Sequence, residues 1–344
     1  MPKVTFISIA YNEAAHLPLL LKSLVEQDYP HSNIQVILVN SASTDRTKNI
    51  MLEFAANNDF DSCIVLENPK RVLASGWNVA LAEAKGEIIV KVDAHGSMCK
   101  GFLSDAVREI DSGEDIVGGQ RVTVFDCTSG QSRMLAHAEC SIFGSGVAGY
   151  RRNIGRKYVK TLAHAAYSKK VFDTVGGFNE LLRRTEDNEI HWRMRQAGFK
   201  ICQVPEMCSY LYARSTMRTM IRQKHGNGYW IGVTFPKCPK CLSLYNFIPM
   251  FFVLGIAAMT ILSFIIGSWL PIGLLMLAYF SCAFIASFYE MRRESKKSFR
   301  PVLLMLPAVF FIMHVVYGAS TIQGLFASPF IGPTKTEKNN GLQT

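Results

Sequence analysis

Short apolar runs bounded by polar clusters alternate with helical stripes over the first 120 residues. The runs Val4–Ala10, Ile34–Asn40, Ser62–Glu67 and Glu87–Val92 read as strands. They lack the apolar/polar alternation of a half-exposed sheet, as parallel strands covered on both faces do. Between and after them, 14–27, 44–57, 74–84 and 102–112 carry the spacing of amphipathic helices. Ser43 or Thr44 with Asp45, and Ser75, stand where N-caps are expected. The pattern predicts an α/β sheet, with ligands beyond the carboxyl ends of its strands.

The pattern changes after residue 241. No Asp, Glu, Lys or Arg occurs over 242–289 or 301–334. A run of ~20 apolar residues spans a bilayer as a helix. Three spans are expected, near 244–267, 271–289 and 302–326, the first two separated by Gly267-Ser268-Trp269-Leu270-Pro271. Between soluble domain and spans, Thr216–His225 reads as a helix with Arg218 and Arg222 on one side and Met217, Met220 and Ile221 on the other. It is either an interfacial amphipathic helix or an ordinary surface helix. The resulting division is 1–210 soluble domain, 211–241 basic interfacial segment, 242–334 membrane helices and 335–344 tail.

Composition excludes disorder and a small disulfide scaffold: 49% of the 344 residues are hydrophobic, 19% are charged and the nine Cys are sparse. The location of the charge matters more than its total of +10. Residues 1–204 hold 24 basic and 23 acidic side chains, net +1, so nucleic acid is not an expected partner. The excess lies before and between the spans, notably in Glu290–Arg300. Short basic loops stay cytoplasmic. With two spans separating that loop from the N-terminal domain, the domain is expected in the cytoplasm and Lys335–Thr344 on the far side. This describes a multi-pass protein of the bacterial inner membrane. No signal peptide is expected ahead of Val4–Ile9, and the unpatterned Cys suit a reducing compartment.

The chemistry-bearing clusters sit at the ends of the predicted strands: Ala10-Tyr11-Asn12-Glu13, Asn40-Ser41-Ala42-Ser43-Thr44-Asp45 and Asp93-Ala94-His95. Neither G-x-G-x-x-G nor a Walker A loop follows the first strand. Asp93 and His95 are spaced to hold one divalent cation on a diphosphate, or else Asp93 caps a turn and His95 is solvated. Glu186-Asp187 opens a helix whose stripe is Ile190, Met194 and Ala197 and whose stop is Gly198. Acids at a helix start answer the dipole, and a catalytic carboxylate uses the same rigid place. His164 reads as a core histidine, and Cys238–Cys241 lacks the second pair that a structural zinc needs.

Five motifs in order carry a resemblance: Ser8–Glu13, Val39–Thr47, Lys91–His95, Val175–Glu180 and Thr185–Asp187. The sequence resembles family 2 inverting glycosyltransferases with a GT-A (Rossmann-like, nucleotide-sugar-binding) fold, over residues 3 to about 230. The D-x-H form, Glu186–Glu189 and Gly226-Asn227-Gly228-Tyr229-Trp230 before the spans resemble the succinoglycan-type exopolysaccharide subgroup. The resemblance implies donor contacts at Ala10, Asn12, Glu13, Asn40, Ser41, Asp45 and Asp93. It implies a divalent metal (Mn²⁺ or Mg²⁺) on Asp93 and His95, Asp187 as general base and Glu186 beside it. Arg222, Lys224 and Trp230 are the candidates for acceptor phosphate. Asn40-Ser41 stands where many relatives carry Asp-Asp or Asp-Gly, and the Q-x-x-R-W signature of processive synthases is absent. The expected activity is transfer of one sugar, from a UDP-sugar by preference, to a lipid-linked saccharide or polyprenyl phosphate, metal-assisted, at the membrane and beside polysaccharide assembly proteins. The alternatives are an inactive nucleotide-sugar-binding or scaffold subunit, and a nucleotidyltransferase, which lacks its Gly-rich loop here.

Overall fold

The computed structural model describes residues 3–125, 129–145, 155–212, 216–294 and 301–331. The 295–300 part of the basic loop and the 335–344 tail, both named above, lie outside the described residues. The chain forms two compact units, Met1–Val124 with Ala148–Tyr212, and Phe125–Val147 with Ala213–Thr344.

The first unit is built on one sheet. Strands β1 (Val4–Ala10), β2 (Ile34–Asn40) and β3 (Ser62–Glu67) have the bounds that their apolar runs predict, and β4 is Ile88–Lys91. The helices between and after them are α1 (Leu17–Val25), α2 (Thr47–Ala56), α3 (Leu73–Glu83) and α4 (Phe102–Asp111). They start up to three residues away from the expected positions. Ser75 is not a cap: α3 begins at Leu73, and the Ser75 hydroxyl donates back to the Val72 carbonyl. Asp45 accepts from the Thr47 amide at the start of α2.

The sheet runs β3-β2-β1-β4-β8-β6-β9-β5, adding β5 (Gly96–Met98), β6 (Ile116–Val124), β8 (Ala165–Ser168) and β9 (Ile201–Tyr212), with β7 (Lys157–Tyr158) paired to β9. The strands β3, β2, β1 and β4 are parallel, and β8 joins β4 antiparallel with Lys91 opposite Ala165. The chain leaves β1 for β2 on one side and reaches β4 on the other. Such a reversal opens a crevice at the carboxyl ends of the strands. Two apolar cores cover the faces: Phe6, Val36, Val90 and Phe102 lie in one, and Ile7, Trp77, Tyr167 and Ile190 in the other.

The second unit holds three helices long and apolar enough to cross a membrane: Leu244–Ile265, Leu270–Arg292 and Leu303–Phe330. Their helical cores are α9 (Ile248–Ile265), α10 (Leu270–Glu294) and α11 (Leu306–Ala327). The basic helix expected over 216–225 is longer, α8 (Met217–Thr234). Its Met220, Lys224, Gly228 and Ile231 are buried at helical spacing. A Cβ on Gly228 would meet the Tyr317 carbonyl at 2.2 Å, and one on Gly232 the Thr321 carbonyl at 2.1 Å. Small residues let helix backbones approach this closely, so α8 lies directly against α11. A further helix of this unit, α5 (Gly130–Cys140), was not anticipated. Its Met134, Leu135 and Ala138 pack with Met220, Leu306 and Phe310.

Candidate active site

The crevice is lined by the loops after β1, β2 and β4 and by the start of α7 (Glu186–Gln196). After β1 the chain turns at Asn12, whose φ of 56° is left-handed. Its carboxamide oxygen accepts from the Thr44 amide at 2.8 Å, and its own amide donates to Ser43 Oγ at 3.1 Å. The Glu13 amide donates to Thr47 Oγ1 (2.8 Å) and the Ala14 amide to Asp45 Oδ2 (3.2 Å). Asn12 and Asp45 therefore lock the first two loops together as a rim. Ser41 accepts from Asn68 Nδ2 at 3.0 Å. Asn40 Nδ2 donates to Glu67 Oε2 at 2.9 Å, and Lys48 stands 2.9 Å from Oε1. A carboxylate thus reaches the end of β2 from β3, a contribution that the Asn40-Ser41 motif hides.

Beyond β4, Asp93 is 21% exposed and His95 38%. His95 Nδ1 lies 3.6 Å from Glu13 Oε1, whose other oxygen is 3.3 Å from His16 Nδ1. The buried His164 places Nε2 3.2 Å from Asp93 Oδ2. It precedes β8, and the antiparallel pairing of β8 with β4 carries it to the loop after β4. Burial alone would raise the Asp93 carboxyl, but Lys91 and His164 outweigh it and hold Asp93 well below the usual carboxylate range.

Asp187 and Glu186 differ sharply. Asp187 remains 31% exposed, and both its carboxylate oxygens lie 3.2 Å from Lys91 Nζ. Burial and the nearby Asp93 push its carboxyl up, and Lys91 pulls it down. Glu186 is 4% exposed, and burial next to Asp187 pushes its carboxyl up to about 8. Both carboxyls sit above the usual carboxylate range, and Asp187 is the one that keeps partial exposure and the ion pair to Lys91.

The scaffold behind them is tightly bonded. His191, one turn along α7, is fully buried between Thr161 Oγ1 (2.8 Å) and the Tyr167 hydroxyl (2.9 Å). Arg193 is paired to Glu189 and donates to the carbonyls of Val175 (2.5 Å) and Gly177 (2.6 Å), tying α7 to the Gly-Gly-Phe loop. In the second unit, Lys224 is buried with Nζ 2.6 Å from Glu139 and 2.5 Å from Ser145 Oγ. Arg222 is exposed, and Trp230 is half-buried edge-on to Tyr229.

The glycosyl transferase family 2 model matches residues 5–176, half of the chain. The chain belongs to glycosyltransferase family 2. Succinoglycan biosynthesis protein ExoA of Rhizobium meliloti is 27% identical over 248 residues, covering 70% of this chain and 72% of that protein. A dolichyl N-acetyl-alpha-D-glucosaminyl phosphate 3-beta-D-2,3-diacetamido-2,3-dideoxy-beta-D-glucuronosyltransferase of Methanococcus voltae is 24% identical over 94% of this chain and 98% of its own length. Among solved structures, mannosyltransferase PcManGT from Pyrobaculum calidifontis, in complex with GDP-Man and Mn²⁺, superposes with a TM-score of 0.57 at 17% identity, covering 94% of this chain and 87% of that one. The glycosyltransferase therefore has a GT-A fold.

Proposed function

We propose that this glycosyltransferase is membrane-anchored and inverting, and moves one sugar from a nucleotide-sugar donor to a lipid-linked saccharide or polyprenyl phosphate in surface-polysaccharide synthesis. A UDP-sugar is the favoured donor. The observation that carries the reading is Asp187: a partly exposed carboxylate on the rigid first turn of a helix, ion-paired to a buried lysine, beside the more deeply buried Glu186. Asp187 takes the acceptor hydroxyl proton as that oxygen attacks the anomeric carbon from the face opposite the diphosphate. The bond from that carbon to the diphosphate oxygen breaks, and the nucleoside diphosphate leaves with the electron pair.

Asp93 and His95 suit a divalent cation. The Asp93 carboxylate is held ionised and open to solvent, and His95 is more open still. A carboxylate with an imidazole would suit Mn²⁺ better than an ion that prefers oxygen ligands alone. When bound, the cation neutralises charge on the leaving diphosphate. Asn12, Glu13, Asn40, Ser41 and Asp45 shape the nucleoside end of the crevice. Arg222, with Trp230 farther along α8, is the acceptor-phosphate candidate. Lys224 is already committed to Glu139. Along the chain the proposed division is 1–210, 211–241, 242–334 and 335–344, with Phe125–Val147 folding into the second unit, and with the catalytic domain in the cytoplasm of a bacterial cell, beside assembly proteins of the polysaccharide.

The test uses membranes bearing the full chain, Mn²⁺ or Mg²⁺, native lipid extract and radiolabelled UDP-glucose, UDP-N-acetylglucosamine or GDP-mannose. Label is expected in the lipid fraction. Asp187→Asn is expected to cut the rate by about 10²–10⁴-fold with donor binding retained. Wild-type turnover in that variant would overturn the base assignment.

A further inference from the structure

Lys91 opens one of the five motifs without a role of its own there, yet it stands beside Asp187. It is 2% exposed, on β4, facing the apolar core of Trp77, Tyr167 and Ile190. Its neighbours Val90 and Val92 pack in the opposite core. An ammonium in such a place costs several kcal/mol unless it is well bonded, and an apolar side chain of similar volume would pack there without that cost. Two acceptors hold it, Asp187 Oδ2 at 3.2 Å and the Ala163 carbonyl at 3.1 Å, and Asp187 Oδ1 lies within ion-pair reach at 3.2 Å. The Trp77 ring lies beneath it, 5.1 Å from the ring centre. Among the described residues, no other group donates a hydrogen bond to the Asp187 side chain. Two free torsions separate the Asp187 carboxylate from the helix, and one ammonium within reach of both oxygens fixes them. The same ammonium holds Ala163, whose neighbour His164 faces Asp93.

We propose that Lys91 is a positioning residue that aims the Asp187 carboxylate at the acceptor hydroxyl and joins the base to the loop carrying His164. The proposal rests on Asp187 being the base. A carboxylate aimed this way stands in near-attack geometry before the acceptor arrives, and small misplacement of such a group is costly in rate. The hydrogen bonds of Lys91 go to Asp187 and Ala163, and on the donor side it acts only through its charge on Asp93, so the larger effect falls on turnover.

The experiment measures kcat and donor KM of the full chain in membranes, with whichever of the three nucleotide sugars above is turned over. Lys91→Met is expected to lower kcat about 10–100-fold with donor KM within about threefold. Lys91→Arg, which keeps the donors, is expected to recover most of the loss, and Lys91→Gln is the alternative variant should Met not fold. In the Asp187→Asn background, Lys91→Met is expected to lower the residual rate by less than about threefold, because the group it aims is gone. Wild-type kcat in Lys91→Met, a loss that multiplies in full onto Asp187→Asn, or a loss borne by donor KM alone would each overturn the proposal. Wild-type turnover in Asp187→Asn would instead overturn the base assignment, and the role of Lys91 with it.

Discussion

His164 Nε2 lies 3.2 Å from Asp93 Oδ2, with the imidazole fully buried and the carboxylate partly open. Nothing in the local sequence joins these residues, 71 positions apart. Partners that orient a ligating carboxylate typically contribute 10–100-fold to metal affinity or activity. His164→Ala is therefore expected to raise the Mn²⁺ concentration for half-maximal transfer by about tenfold. A metal titration of membrane activity checks this; an unchanged midpoint would reduce His164 to packing.

His191 sets a pH limit on stability. Burial holds its pKa down, at about 3, below the ordinary value of 6.5. As pH falls from 6.5 towards 3 the unfolded chain takes up a proton that the folded chain refuses, so stability is lost with falling pH. Between pH 7 and 4.5 the wild-type protein should lose about 2–3 kcal/mol more than His191→Asn. Denaturant unfolding of detergent-purified protein at the two pH values measures it. The variant should start less stable, having lost fit to Thr161 and Tyr167, and show the flatter slope.

Gly177 has no room for a side chain. A Cβ there would lie 2.4 Å from Asn78 Oδ1. Asn78 cannot swing away freely: it accepts from the Phe178 amide at 2.7 Å and donates to the Phe178 carbonyl at 2.9 Å and Glu180 at 3.0 Å. Gly177→Ala is expected to cost about 1–3 kcal/mol and to lower activity by displacing the loop that Arg193 ties to α7. Adding Asn78→Ala should cost less than the two single losses combined. Unfolding and turnover of the three variants give the comparison.

The buried Lys224–Glu139 pair predicts an asymmetric response. Removing one partner of such a pair costs about 3–5 kcal/mol, and removing both charges costs less. Lys224→Met should therefore lower thermal stability in detergent more than Lys224→Met with Glu139→Gln. A double-variant loss equal to the sum of the Lys224→Met and Glu139→Gln losses would show that the pair carries no net coupling.

The sequence by itself determined the repeating architecture and the membrane segments. Strands β1, β2 and β3 are legible to the residue because each is an apolar run cut off by polar clusters, and that contrast is local. The charge-free stretches after residue 241 are legible for the same reason. Asp93, His95, Glu186 and Asp187 were visible because motif and strand end or helix start coincide in the chain. What only the tertiary structure decided was which partners these groups have. Lys91 stands in a motif with no partner legible until α7 is packed over β4, and the place of His164 beside Asp93 follows only from the antiparallel pairing of β8 with β4. The buried face of α8 is unreadable along the chain because Lys224 interrupts its apolar stripe, and only α5, more than 80 residues upstream, supplies the carboxylate that lets it lie there. Local burial patterns are written in consecutive residues; the pairing of buried charges is a long-range property, fixed only when the sheet order and helix packing bring them together.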